Sequence, residues 1–100
     1  MKLSELCAIL KDYIADDESV ANYEICHADF GAVAQSSIVL DDDSIQIVFS
    51  PSTGDSDCVA CLLEYEEEYA DYLVCHVEFG ALTESENIEL NDKRKMIIIS

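Results

Sequence analysis

Histidine and carboxylate side chains stand two residues apart at two places in this 100-residue chain, His27 with Asp29 and His76 with Glu78. Residues i and i+2 of an extended strand share a face, so each pair offers an imidazole nitrogen and a carboxylate oxygen to the same space. Brought together, the two pairs make a mixed nitrogen and oxygen set suited to a divalent metal such as zinc. The competing reading, which we prefer, is a local ion pair on a half-exposed sheet face. Cys58-Val-Ala-Cys61 is a second grouping, a C-x-x-C where a helix N-terminus would stabilise a thiolate. A thioredoxin-like site needs a strand directly before it, and a zinc site needs two more ligands, yet no second C-x-x-C is present. Both cysteines also fit the apolar stripe of a helix.

The remaining acids do not assemble a known site. Asp16-Asp17-Glu18 and Asp41-Asp42-Asp43 lack the spaced acids, glycine and closing glutamate of a calcium loop. No serine–histidine–acid grouping and no glycine-rich phosphate cradle is legible. The expectation is a protein that is not an enzyme and needs no cofactor.

The elements that position these residues come in two copies. Tyr23-Glu-Ile-Cys-His-Ala-Asp-Phe-Gly-Ala-Val33 is echoed by Tyr72-Leu-Val-Cys-His-Val-Glu-Phe-Gly-Ala-Leu82, with six of eleven positions identical at an offset of 49. The offset then becomes 50, pairing Ile38 with Ile88, Ile47 with Ile97 and Ser50 with Ser100. Such a repeat predicts an α+β fold made by internal duplication of a helix-β-β-β unit, closed into one pseudo-twofold domain. Copies 1–50 and 56–100 flank a linker at 51–55. Each half of about 50 residues is too small to be stable alone, so the copies share a core.

Leu3, Leu6, Cys7, Leu10, Tyr13 and Ile14 follow helical spacing, which predicts a helix from Lys2 to Ile14 that stops before Asp16. Strands are predicted at 22–30, 37–40 and 45–49, and again at 71–79, 87–90 and 95–99, with Gly31 turning or bulging the chain. A second helix is capped by Ser56 or Asp57 and carries Cys58, Cys61, Leu62, Tyr65 and Tyr69 on one stripe. Alternation through each first strand places Cys26, Phe30, Cys75 and Phe79 on a common core-facing side.

Charge is the other strong signal. Residues 1–50 hold ten acids and two lysines, giving −8, and residues 51–100 hold twelve acids and three bases, giving −9. A net −17 repels nucleic-acid phosphates and favours encounter with a basic partner. The exposed acids expected to meet it are Asp41, Asp42 and Asp43 on one hairpin tip, and Glu66, Glu67 and Glu68 on the second helix. The other tip, Asp92-Lys93-Arg94-Lys95, is basic instead, which fits drift after duplication, a head-to-tail contact between molecules or a register lock within one. Five cysteines, an odd number, fit reduced thiols in a cytoplasm. The apolar runs are too short to span a membrane.

Met1-Lys-Leu-Ser-Glu-Leu6 through Leu10-Lys11, followed by Ile38-x-Leu-Asp-Asp-Asp and Ile45-x-Ile-x-x-Ser50, resembles a class of small phage and prophage proteins of unknown function with a helix-then-strands layout. The resemblance covers the first half only and implies an origin on a mobile element. In size and charge the chain also resembles DNA-mimic inhibitors of the anti-CRISPR and anti-restriction type. The leading expectation is therefore an acidic inhibitor or decoy, monomeric or homodimeric, bound to a basic nucleic-acid-handling protein. Two alternatives stand beside it: a protein-interaction module using an apolar or β-edge surface, and a metal-binding protein using His27/Asp29 and His76/Glu78.

Overall fold

The structure, a computed structural model, describes residues 1–52 and 56–100. Helix α1 spans Leu3–Asp16, two residues beyond the sequence reading: Asp16 is its last residue, and Asp17, in extended conformation, is its C-cap. Its stripe behaves as the spacing dictates, with Leu3, Leu6, Cys7 and Leu10 fully buried. A 3-10 turn, Glu18–Asn22, then brings Val20 and Tyr23 into the same core.

Seven strands follow: β1 (Glu24–Asp29), β2 (Ala32–Asp41), β3 (Gln46–Pro51), β4 (Leu73–Glu78), β5 (Ala81–Glu84), β6 (Ile88–Asn91) and β7 (Met96–Ile99). Between β3 and β4 lie two short helices, α2 (Val59–Glu64) and α3 (Glu66–Tyr69). The result is an α+β fold around one mixed sheet, ordered β5-β4-β3-β2-β1-β7-β6. Pairs β1–β7 and β3–β4 are parallel and the rest antiparallel. The two edge strands, β5 and β6, are consecutive in the chain and separated by residues 85–87 alone. The sheet therefore curls until its edges meet through the chain.

Inside the curl, Ile25, Ile47, Phe49, Val74, Ile97 and Ile99 pack against Leu3, Leu6, Leu10, Val59 and Leu62. Burying each such side chain contributes roughly 1.5–3 kcal/mol. Cys26, Val48, Cys75 and Ile98 are also buried but occupy the opposite strand face, outside this cluster.

Registers in the two halves correspond. Cys26 faces Gln35 and Asp29 faces Ala32, while Cys75 faces Glu84 and Glu78 faces Ala81. The helices cross over: Lys2, before α1, bridges Leu73 of the second half, and Cys58, before α2, bridges Glu24 of the first. Leu3 N–H donates to the Tyr72 carbonyl and Val59 N–H to that of Tyr23.

Several details depart from the sequence reading. Strand β2 starts at Ala32, and β5 has no counterpart in the sequence reading, because Ala-Val-Ala-Gln and Ala-Leu-Thr-Glu carry little β-branched or aromatic signal. The second helix breaks at Tyr65, and its buried positions are Val59 and Leu62, whereas Cys61 is exposed. Cys58, not Ser56 or Asp57, is its N-cap. Asp57 instead stitches the opening between β1 and β2: its Oδ2 accepts from Ile38 N–H at 2.8 Å and its carbonyl from Ile25 N–H at 2.8 Å. Of the expected linker, Pro51 ends β3 and pairs with Ser36, and positions 53–55 lie outside the described residues.

Candidate functional site

Strand directions place the Phe30-Gly31 and Phe79-Gly80 turns at one end of the sheet and the tips 42–45 and 92–95 at the other. Three groups of side chains result: a buried histidine pair, an acidic surface at the second end, and an aromatic tip at the first.

His27 and His76 are buried and face each other, ring centroids 6.2 Å apart. Each Nδ1 lies 2.6 Å from a buried serine hydroxyl, Ser36 for His27 and Ser85 for His76. His76 Nε2 lies 3.6 Å from Glu78 Oε1, on the side of the ring away from Ser85. His27 Nε2 forms no hydrogen bond of good geometry. The Val77 carbonyl beside it slightly favours its protonated form. Burial, then the neighbouring His76, push the His27 pKa down, and Asp29 only partly offsets them.

This pair corrects the half-exposed reading for the histidines, which are buried, while the expected local contact of imidazole and carboxylate stands in the second copy, His76 with Glu78. In the first copy Asp29 Oδ1 accepts the Phe79 N–H at 2.7 Å. Among the described residues no three His, Cys, Asp or Glu side chains are grouped to hold a metal. The tertiary fold does align a serine–histidine–acid series that the sequence hides, Ser85–His76–Glu78. Nine residues separate the serine from its histidine, and only the β4–β5 hairpin closes that gap. Ser85 is fully buried, so in this arrangement a substrate carbonyl has no path to its hydroxyl.

The acidic surface joins the two sets of acids chosen from the sequence. Asp42 accepts from Tyr72 Oη–H at 2.7 Å. Tyr72 meets Tyr69 edge to face at 4.9 Å, and Tyr69 meets Tyr65 at 6.1 Å. The hydrogen bond to Asp42, with burial, pushes the Tyr72 hydroxyl up to about 12. The tyrosine ladder runs from the tip to a cavity of about 420 Å³ lined by Asp57, Cys61, Glu64, Tyr65, Glu68 and Tyr69. Asp42, Asp43, Glu67 and Glu68 are exposed, and Asp41 is half-buried. Glu66 differs from expectation: it is ion-paired with Lys11 of α1 and has less free charge to offer. At the other tip, Tyr23 donates to Asp92 at 2.7 Å, and Lys95 Nζ lies 5.6 Å from the Tyr23 ring centroid. The basic tip thus has an internal anchor.

Cys58 and Cys61 sit with sulfurs 3.1 Å apart, within hydrogen-bond reach of each other. Their hydrogen bond comes first among the causes raising the Cys61 pKa, which opposes thiolate chemistry there. Cys7 is pushed up to about 11 by burial.

The aromatic tip was assigned to the wrong side of the sheet by the sequence reading. Phe30 and Phe79 are 74% and 76% exposed, not core residues. Each is the first residue of a two-residue turn with φ of 48° and 51°, followed by glycine at 86° and 76°. Two successive positive φ values are the pattern of a type I′ hairpin turn. Strand alternation ends at Asp29 and Glu78, so it cannot be carried on to the phenylalanines.

No protein family, curated protein or solved structure matches this chain. Among the described residues no helix is long and apolar enough to cross a membrane.

Proposed function

We propose that this chain is a non-catalytic acidic inhibitor that occupies a basic surface of a nucleic-acid-handling protein in a bacterial cytoplasm, with an origin on a phage or other mobile element. The observation that carries this reading is the continuity of the acidic tip Asp41–Asp43 with the acids of α2 and α3 through Tyr72, Tyr69 and Tyr65. Carboxylates spaced along a rigid ladder imitate spaced phosphates. The cavity beside them offers carboxylates and tyrosine rings, both favourable to a lysine or arginine side chain. The body that holds them rigid is, in our reading, a duplicated unit with pseudo-twofold symmetry. The matched registers and the crossed helix contacts support that reading.

The test begins with capture of partners from a bacterial lysate on the tagged chain, followed by measurement of the captured protein's binding to its DNA or RNA. The expected partner binds nucleic acid, loses it when the chain is added, and releases the chain as salt rises, because exposed charges are screened over about 8 Å at physiological ionic strength. Asp41→Asn, Asp42→Asn and Asp43→Asn combined with Glu67→Gln and Glu68→Gln should weaken the complex at least tenfold. Affinity unchanged by these substitutions and by ~0.5 M salt, far above the screening threshold, would overturn charge mimicry.

A further inference from the structure

The end of the sheet opposite the acidic tip is apolar. Phe30 and Phe79 touch, with ring centroids 4.8 Å apart and planes tilted by 43°, and Val33 and Leu82 beside them are 47% and 51% exposed. The two rings, one from each hairpin, thus form a solvent-facing knob on a chain of net charge −17, with Val33 and Leu82 exposed on the strands that leave the two turns. Scattered exposed apolar residues need no explanation, but a contiguous aromatic patch marks an interaction site. Backbone geometry adds a second, independent sign. Both phenylalanines hold a left-handed φ that disfavours a side chain and that asparagine or glycine would adopt more readily. A bond between the hairpins, Phe79 N–H to Asp29, fixes their spacing.

We infer that the Phe30–Phe79 knob inserts into an apolar socket on a partner protein, and that lysine or arginine side chains flank that socket. Charge identifies the occupant. Asp29 and Glu78 directly precede the two phenylalanines, so the knob is bordered by carboxylates and calls for cations around the socket. A second copy of the chain brings another −17 and the same acidic border, and an anionic lipid surface is repelled likewise. Aromatic anchors desolvated at the centre of an interface, with charges at the rim, are the usual anatomy of a binding hot spot. The inference rests on the acidic-inhibitor reading for the partner's basic character, and it adds the anchor that charge alone lacks.

A phage-displayed library of random peptides, panned against the full chain, supplies a defined probe. Selected peptides should combine an aromatic or aliphatic cluster with lysine or arginine. Their affinity should fall at least tenfold for Phe30→Ala or Phe79→Ala and be lost in the double variant. Phe30→Asn, which suits the turn, should lose affinity equally while keeping the melting temperature, separating binding from folding. Peptides that bind the double variant as well as the parent, or that lack basic residues, would overturn the inference. So would sedimentation showing a dimer that the double variant dissolves, or flotation with neutral phosphatidylcholine vesicles. The two readings fail separately. If lysate partners handle nucleic acid and are held equally by the double variant, the knob falls and the inhibitor stands. If the peptides need both phenylalanines but no captured partner handles nucleic acid, the inhibitor falls and the knob stands.

Discussion

The Asp29 carboxylate, at the end of β1, accepts the backbone N–H of Phe79 at 2.7 Å, so a residue of the first half fixes the turn of the second. Fifty positions of sequence separate them. Asp29→Ala removes the acceptor and leaves an N–H that water can reach, a loss of about 0.5–1.5 kcal/mol. Urea denaturation should show that decrease. Cross-peaks between the Phe30 and Phe79 rings in a nuclear Overhauser spectrum should weaken with it. A ring pair unchanged in Asp29→Ala would mean that apolar contact alone positions the knob.

The two phenylalanine turns should be less stable than they could be. Asn-Gly is the favoured pair for a type I′ turn, and a left-handed φ costs most side chains roughly 1–2 kcal/mol. Phe30→Asn and Phe79→Asn are expected to leave stability unchanged or raise it by up to about 1 kcal/mol each, less whatever the ring contact contributes. A loss of about 3 kcal/mol, the scale of a buried aromatic, would contradict the exposed positions described above.

Ser36 and Ser85 are expected to matter out of proportion to their size. Ser36→Ala and Ser85→Ala each strand a buried imidazole Nδ1, which costs about 1–3 kcal/mol. Chemical denaturation of the single variants measures this. Equal stability of parent and variants would show the histidines to be solvated.

Stability should also fall in mild acid. Burial and His76 depress the His27 pKa in the folded state, and Asp29 and the Val77 carbonyl offset only part of that effect. The unfolded chain therefore binds more protons below the ordinary imidazole pKa, and stability rises with pH through that window. His27 contributes fully above the ordinary value, and its contribution is lost as pH falls towards the depressed folded value. Proton NMR should give a His27 midpoint below the usual imidazole range, and His27→Gln should flatten the dependence of melting temperature on pH between about 5 and 7.5.

Thiol reactivity should divide the cysteines cleanly. Cys61 is exposed and Cys58 half-buried, while Cys7, Cys26 and Cys75 are buried. Ellman's reagent should modify Cys58 and Cys61 in the native protein and reach the other three after unfolding. Fast reaction at Cys26 or Cys75 would mean that the outer strand face is open.

The sequence by itself determined the elements whose signal is local. The stripe Leu3, Leu6, Cys7, Leu10 made α1 legible, because helical periodicity needs no partner. The repeat around Cys26-His27 and Cys75-His76 announced β1 and β4, and the polar tips 41–44 and 92–95 announced the hairpins after them. The acids Asp42, Asp43, Glu67 and Glu68 were rightly read as solvent-facing, since charge without a partner stays in water. What the tertiary structure decided were relationships between distant segments. Parallel pairing of β1 with β7 and β3 with β4 buried the histidines, which no neighbour in sequence could foretell. Packing of the hairpins set Ser36 and Ser85 against those rings and turned Asp29 towards Phe79. Phe30 and Phe79 look like core residues because hydrophobicity is a property of the side chain. Exposure, in contrast, is decided by the backbone, and a turn that carries the chain past the last strand residue puts even phenylalanine outside.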